Sequence, residues 1–148
     1  MPFRFPLAAV LHFRQSLEHQ QELRLRAANH QVARVRRALE QLEQRMRESK
    51  IQRAGQLSAG TTAAELRFSL LCESAFPQQQ QELLRELVRV QSLRDQQQKI
   101  FQQARRERQT FESLRDGQLR EYQRDARRRE QRELDDLFLL RRAYLRRG

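Results

Sequence analysis

The stretch LRAANHQVARVRRALEQLEQRM, Leu25 to Met46, carries apolar side chains at Leu25, Ala28, Val32, Val35, Leu39, Leu42 and Met46. The spacing alternates three and four throughout, and neither Gly nor Pro interrupts it. That alternation is a helical seam with a seven-residue repeat, a stripe too narrow to be buried without a second helix against it. Composition points the same way. Only 38% of the 148 residues are hydrophobic while 33% are charged, which is too little apolar volume for a globule but enough for helices that each bury one seam. With 4 Gly and 3 Pro, turns are few.

Working outward, Pro2 and Pro6 hold the start extended, so the first helix is predicted over about 7–54. Gly55, Ser58 and Gly60 mark a turn at 55–61, and Thr62 with Glu65 has capping-box spacing for a second helix over about 62–143. Pro77 is expected to kink that helix, whereas Gly117 is a cost of about 1 kcal/mol that a long helix tolerates. The expected fold is all-α: one domain, residues 1–148, of two long helices forming an intramolecular antiparallel coiled coil. The first stripe then meets Phe68, Leu71, Leu83, Leu87, Val90, Phe101 and Ala104.

Pairing symmetric about Ser58 sets the polar seam positions Gln21, Glu18 and Arg14 against Arg94–Gln103, where Arg94 and Gln97 are also polar. Ile100, Phe111 and Tyr122 are eleven apart, a spacing that winds less to the left than heptads. At the α-helical rise the first helix spans roughly 70 Å and the second roughly 120 Å. The end of the second is therefore expected to outlast its partner. That overhang contains ELDDLFLLRRAYL, with Leu134, Leu137, Phe138, Leu139, Leu140 and Leu145, as on a docking element; alternatively Phe3, Phe5 and Leu7 fold back over part of it.

The formal net charge is +11, and every basic residue except Lys50 and Lys99 is Arg. Such a balance suits an acidic protein surface, an anionic membrane face or nucleic acid. The Arg and Glu are interleaved as on a solvated helix face, and RDARRREQR at 124–132 has only Tyr122 and Tyr144 nearby, no stacking platform for single strands. Basic-region proteins also fork from a zipper between chains, whereas this seam pairs within one.

Nothing in the chain reads as catalytic. His12, His19 and His30 are spaced seven and eleven apart, not the four that metal ligation on a helix wants. Cys72 is alone, and Glu133, Asp135 and Asp136 lie on an open helix with no enclosed site to tune them. No phosphate-binding Gly loop occurs. A non-enzyme without metal or cofactor is expected. No apolar run approaches the roughly 20 residues of a membrane span, and MPFRFPLAAVLHF lacks the features of a secretory signal, so a cytoplasmic protein is expected.

Three segments carry a family resemblance. FRFPLAAVLHFR at the start, LSAGTTAAEL at the turn and ESLRDGQLREYQRDARRREQRELDD late in the chain resemble the FliJ family, the small coiled-coil component of the bacterial flagellar type III export apparatus. The resemblance covers nearly the full length. It implies a fold similar to the central stalk of rotary ATPases, docked in the pore of the hexameric flagellar export ATPase. Further implied partners are the cytoplasmic domain of the export gate protein FlhA and the export chaperones. No nucleic acid is implied, and location is cytoplasmic, peripherally associated with the flagellar basal body at the inner membrane. Carried over, Phe3, Phe5, Leu7, Leu134, Leu137, Phe138 and Leu140 are the ATPase-docking residues. Phe68, Leu71, Cys72, Ala75 and Phe76 are the gate-binding residues, with Pro77 and Gln79 departing from a smooth apolar face. The alternatives are an injectisome type III secretion stalk protein, or a basic coiled coil that binds nucleic acid or an anionic membrane.

Overall fold

A computed structural model describes residues 2–147, all of it helix and connection: α1 (Ala8–Ala59), α2 (Ala63–Ser74) and α3 (Phe76–Arg147). Contacts divide the chain into two units, Gln20–Gln102 and Met1–His19 with Gln103–Gly148, and each is an antiparallel helix pair within itself.

In the first unit every residue of the opening stripe turns inward. Val32, Val35 and Leu42 are buried, and Leu25, Ala28, Leu39 and Met46 are half-buried. Val32 and Val35 cluster with Val90 and Leu87, and the Ser49 hydroxyl donates to Glu73 Oε1 at 2.8 Å. These pairs are symmetric about Thr61, not Ser58, because the turn lies later than the glycine spacing suggests. α1 runs through Gly55 to Ala59, and the break is residues 60–62. The helix is held past Gly55 because its seam still finds partners there: Arg53 pairs with Glu73, and Ser69 donates to Gln56 Oε1 at 3.4 Å. Among the described residues Gly60 alone takes a positive φ, +86°, the left-handed conformation that ends a helix without a Cβ clash. Thr62 then caps α2, its hydroxyl accepting from the Glu65 N–H at 3.2 Å, while the Glu65 carboxylate accepts from Thr61 Oγ1 at 2.9 Å.

Pro77 bends the helix locally. It has no N–H for the Glu73 carbonyl, which accepts from the N–H of Ala75 instead, and α3 resumes at Phe76. The seam crosses the bend: Leu66, Ser69, Glu73, Phe76, Gln80, Leu83, Leu87 and Val90 keep the three-four spacing and are all at least half-buried. That phase excludes Phe68 and Leu71. Expected to face the first stripe, both are instead exposed on the outer side. Phe101, not Ile100, occupies the seam, so the eleven-residue spacing does not describe the packing there. The polar match expected at Gln21 is present, with Gln97 Nε2 donating to Gln21 Oε1 at 2.7 Å.

In the second unit α1 from Ala8 lies against α3 from Gln103. The seam positions Leu11 and Ala104 are buried, and between them sits an ionic layer. Arg108 is bidentate to Glu18, at 2.6 Å and 3.2 Å, and also binds Glu112. Arg14 pairs with Glu107, its guanidinium carbon 5.8 Å from the Phe111 ring centre. Glu18 and Arg14 therefore meet residues beyond the Arg94–Gln103 stretch, as the later turn requires. The hydrogen bond to Glu18 holds the Arg108 guanidinium above its ordinary pKa against the opposing effect of desolvation, and Glu112 adds to it. Partly buried polar pairs of this kind fix register in coiled coils at a cost in stability.

Candidate interaction surfaces

Among the exposed apolar side chains of the described residues, two groups lie where the sequence led us to expect interaction surfaces. The first is the end of α3. Beyond the half-buried Tyr122 and Ala126, every described residue from Arg127 on is exposed. Leu134, Leu137, Phe138, Leu139, Leu140, Tyr144 and Leu145 all project from the part of α3 that has run past its partner in this unit. The N-terminal segment does not cover them. Phe5 is buried and Phe3 stacks on Tyr122 at 5.6 Å with a 51° tilt, which anchors the segment about 18 Å along α3 from Leu134. Leu7 is 38% exposed. The structure thus brings Phe3 to Tyr122, buries Phe5, and leaves Leu134, Leu137, Phe138 and Leu140 as a separate group. The sequence signal for this anchoring was the pair of aromatics bracketed by Pro2 and Pro6, which lack the spacing of a helix and need a surface to lie on.

The second surface follows the turn. Phe68, Leu71, Cys72 and Ala75 are exposed, and their spacings of three, one and three set them on one helix face. Phe76 belongs to the seam and is half-buried, so it is not part of that exposed face. Among the described residues no group of three or more His, Cys, Asp or Glu is placed to hold a metal ion. Among the same residues no helix is long and apolar enough to cross a membrane.

Both surfaces sit on an antiparallel coiled coil whose family can now be named, because the model for the family described as flagellar FliJ protein matches residues 3–148. The chain belongs to the FliJ family. It is thereby a component of flagellar protein export, in a family that is structural and not catalytic. No curated protein and no solved structure matches the chain. The flagellar family, and not an injectisome stalk, is the one matched.

Proposed function

We propose that this FliJ chain acts as a stalk that docks the free end of α3 in the hexameric flagellar export ATPase, offers the face after the turn to the cytoplasmic domain of FlhA, and assists delivery of chaperone–substrate complexes. The observation that carries the proposal is the overhang: a helix that has lost its partner yet keeps Leu134, Leu137, Phe138 and Leu140 in solvent. Exposed apolar area of this extent marks an interaction site. A shaft in a ring must shift between subunits, and non-directional apolar contact suits that better than fixed ion pairs. Arg127, Arg128, Arg129, Arg141 and Arg142 flank the patch and steer it toward acidic loops, acting more on the rate of association than on its strength. Phe3, Phe5 and Leu7 serve the docking end as its base, a reading supported by the stacking of Phe3 on Tyr122 and the burial of Phe5. Phe68, Leu71, Cys72 and Ala75 form the gate face, and Phe76 is held in the seam next to it in sequence. On this reading the protein works in the cytoplasm, peripherally at the basal body.

Photo-crosslinking in motile cells tests the assignment of the two ends. A photoreactive residue in place of Phe138 is expected to capture the export ATPase, and one in place of Phe68 to capture FlhA. Capture of the ATPase from Phe68 and not from Phe138 would reverse the reading.

A further inference from the structure

A concave site in the second unit is not used by the docking reading. Phe3, Phe5 and Leu11 form its apolar floor, and Arg4, His12 and Arg115 stand at its rim; its volume is about 560 Å³. Phe5 and Leu11 are buried, whereas Arg4, His12 and Arg115 are exposed. Among the described residues neither Arg4 nor Arg115 has an ion-pair partner, although other arginines of this unit, Arg14 and Arg108, do. Two uncompensated cations over an aromatic floor select a ligand that is acidic and apolar at once.

The same chain displays such a segment. Glu133, Asp135 and Asp136 are followed directly by Leu137 and Phe138, all exposed, on the overhang of α3. Asp135 accepts one hydrogen bond, from Gln131 Nε2 at 3.0 Å, which leaves acceptor sites open, and among the described residues no ion pair engages Glu133 or Asp136. The segment cannot reach its own pocket. Arg115 and Asp135 lie on one continuous helix, about 30 Å apart at the helical rise. A second copy has no such restriction. A two-fold axis crossing α3 near Asp125, midway between Arg115 and Asp135, sets each overhang against the other's pocket and satisfies both sites at once, as a closed isologous pair requires.

We infer that the free protein forms a two-fold dimer in which Glu133–Phe138 of each copy occupies the Phe3–Arg4–Phe5–His12–Arg115 pocket of the other. This pairing goes beyond the stalk reading, and because it buries Leu137 and Phe138 it excludes ring docking while it lasts. Its test uses the chain alone, so it fails or stands independently of that reading.

Sedimentation velocity of the full chain over a range of concentrations at low salt reads the pairing. The wild type is expected to pass from monomer to dimer as concentration rises. Arg4→Glu with Arg115→Glu is expected to weaken dimerisation about tenfold or more, and Asp135→Arg with Asp136→Arg to do the same. All these positions are exposed, and unchanged far-ultraviolet circular dichroism verifies the fold. The protein carrying all four reversals is expected to recover most of the lost affinity. A wild type that stays monomeric throughout overturns the proposal. So does a dimer indifferent to either pair of reversals, which assembles through another face. A four-reversal protein as weak as the two double variants also overturns it. A monomeric chain whose pocket nonetheless binds an isolated Glu133–Phe138 peptide would assign the pocket to an acidic segment of a different protein.

Discussion

Replacing Leu137 and Phe138 together by aspartate is expected to abolish stimulation of the export ATPase while leaving helical content unchanged. The two side chains are 62% and 65% exposed and touch no seam, so the fold does not depend on them; changes at such positions typically move stability by no more than about 0.5 kcal/mol. Docking does depend on them. Burying one large apolar side chain contributes about 1.5–3 kcal/mol, so losing two removes several kcal/mol, a loss of affinity of roughly a hundredfold or more. Two carboxylates in place of the apolar groups add the cost of desolvating charge. The measurement is ATP hydrolysis by the ring titrated with wild-type and variant protein, beside circular dichroism of each. Normal stimulation by the double variant would move the docking end to the face that carries Phe68 and Leu71.

The second large effect lies in the seam. Leu42→Ala is expected to destabilise the fold by about 2–4 kcal/mol, read as a clear fall in the thermal midpoint by circular dichroism. Leu42 is the most completely buried large side chain, at 1% exposure, and a two-helix seam has few neighbours to collapse into the space left behind. Phe68→Ala is the matched control. Although it removes more apolar volume, Phe68 is 69% exposed and the expected change is within about 0.5 kcal/mol. Equal effects of the two substitutions would mean that the helices do not pair along the Val32–Leu42 stripe.

The contrast between these two leucine-rich regions shows what a reader of the sequence can extract. The three-four repeat from Leu25 to Met46 is a geometric signal, and every residue in it turned inward as the period demands. The register was harder, because it depends on where the chain reverses. Gly55 looks like part of a turn by composition, yet it stays helical because Arg53 and Gln56 find Glu73 and Ser69 across the seam, a tertiary effect invisible to local propensity. Moving the centre from Ser58 to Thr61 exchanges seam and surface on part of the partner helix, which is why Phe68 and Leu71 emerged on the outside. The overhang was legible from helix lengths alone. The destination of Phe3 was not, since aromatic residues in a proline-bracketed strand carry no period, and only the structure shows the contact with Tyr122.

On the stalk reading the unpartnered end of α3 is the end the ATPase holds. Hydrogen–deuterium exchange of the chain with and without the assembled ring tests it directly. The overhang is now helical but unpaired, so its amides open easily, and occupancy of the ring is expected to slow exchange across Leu134–Leu145 while leaving Ala63–Ala75 as it was. Slowed exchange across Ala63–Ala75 with no change at Leu134–Leu145 would contradict the account.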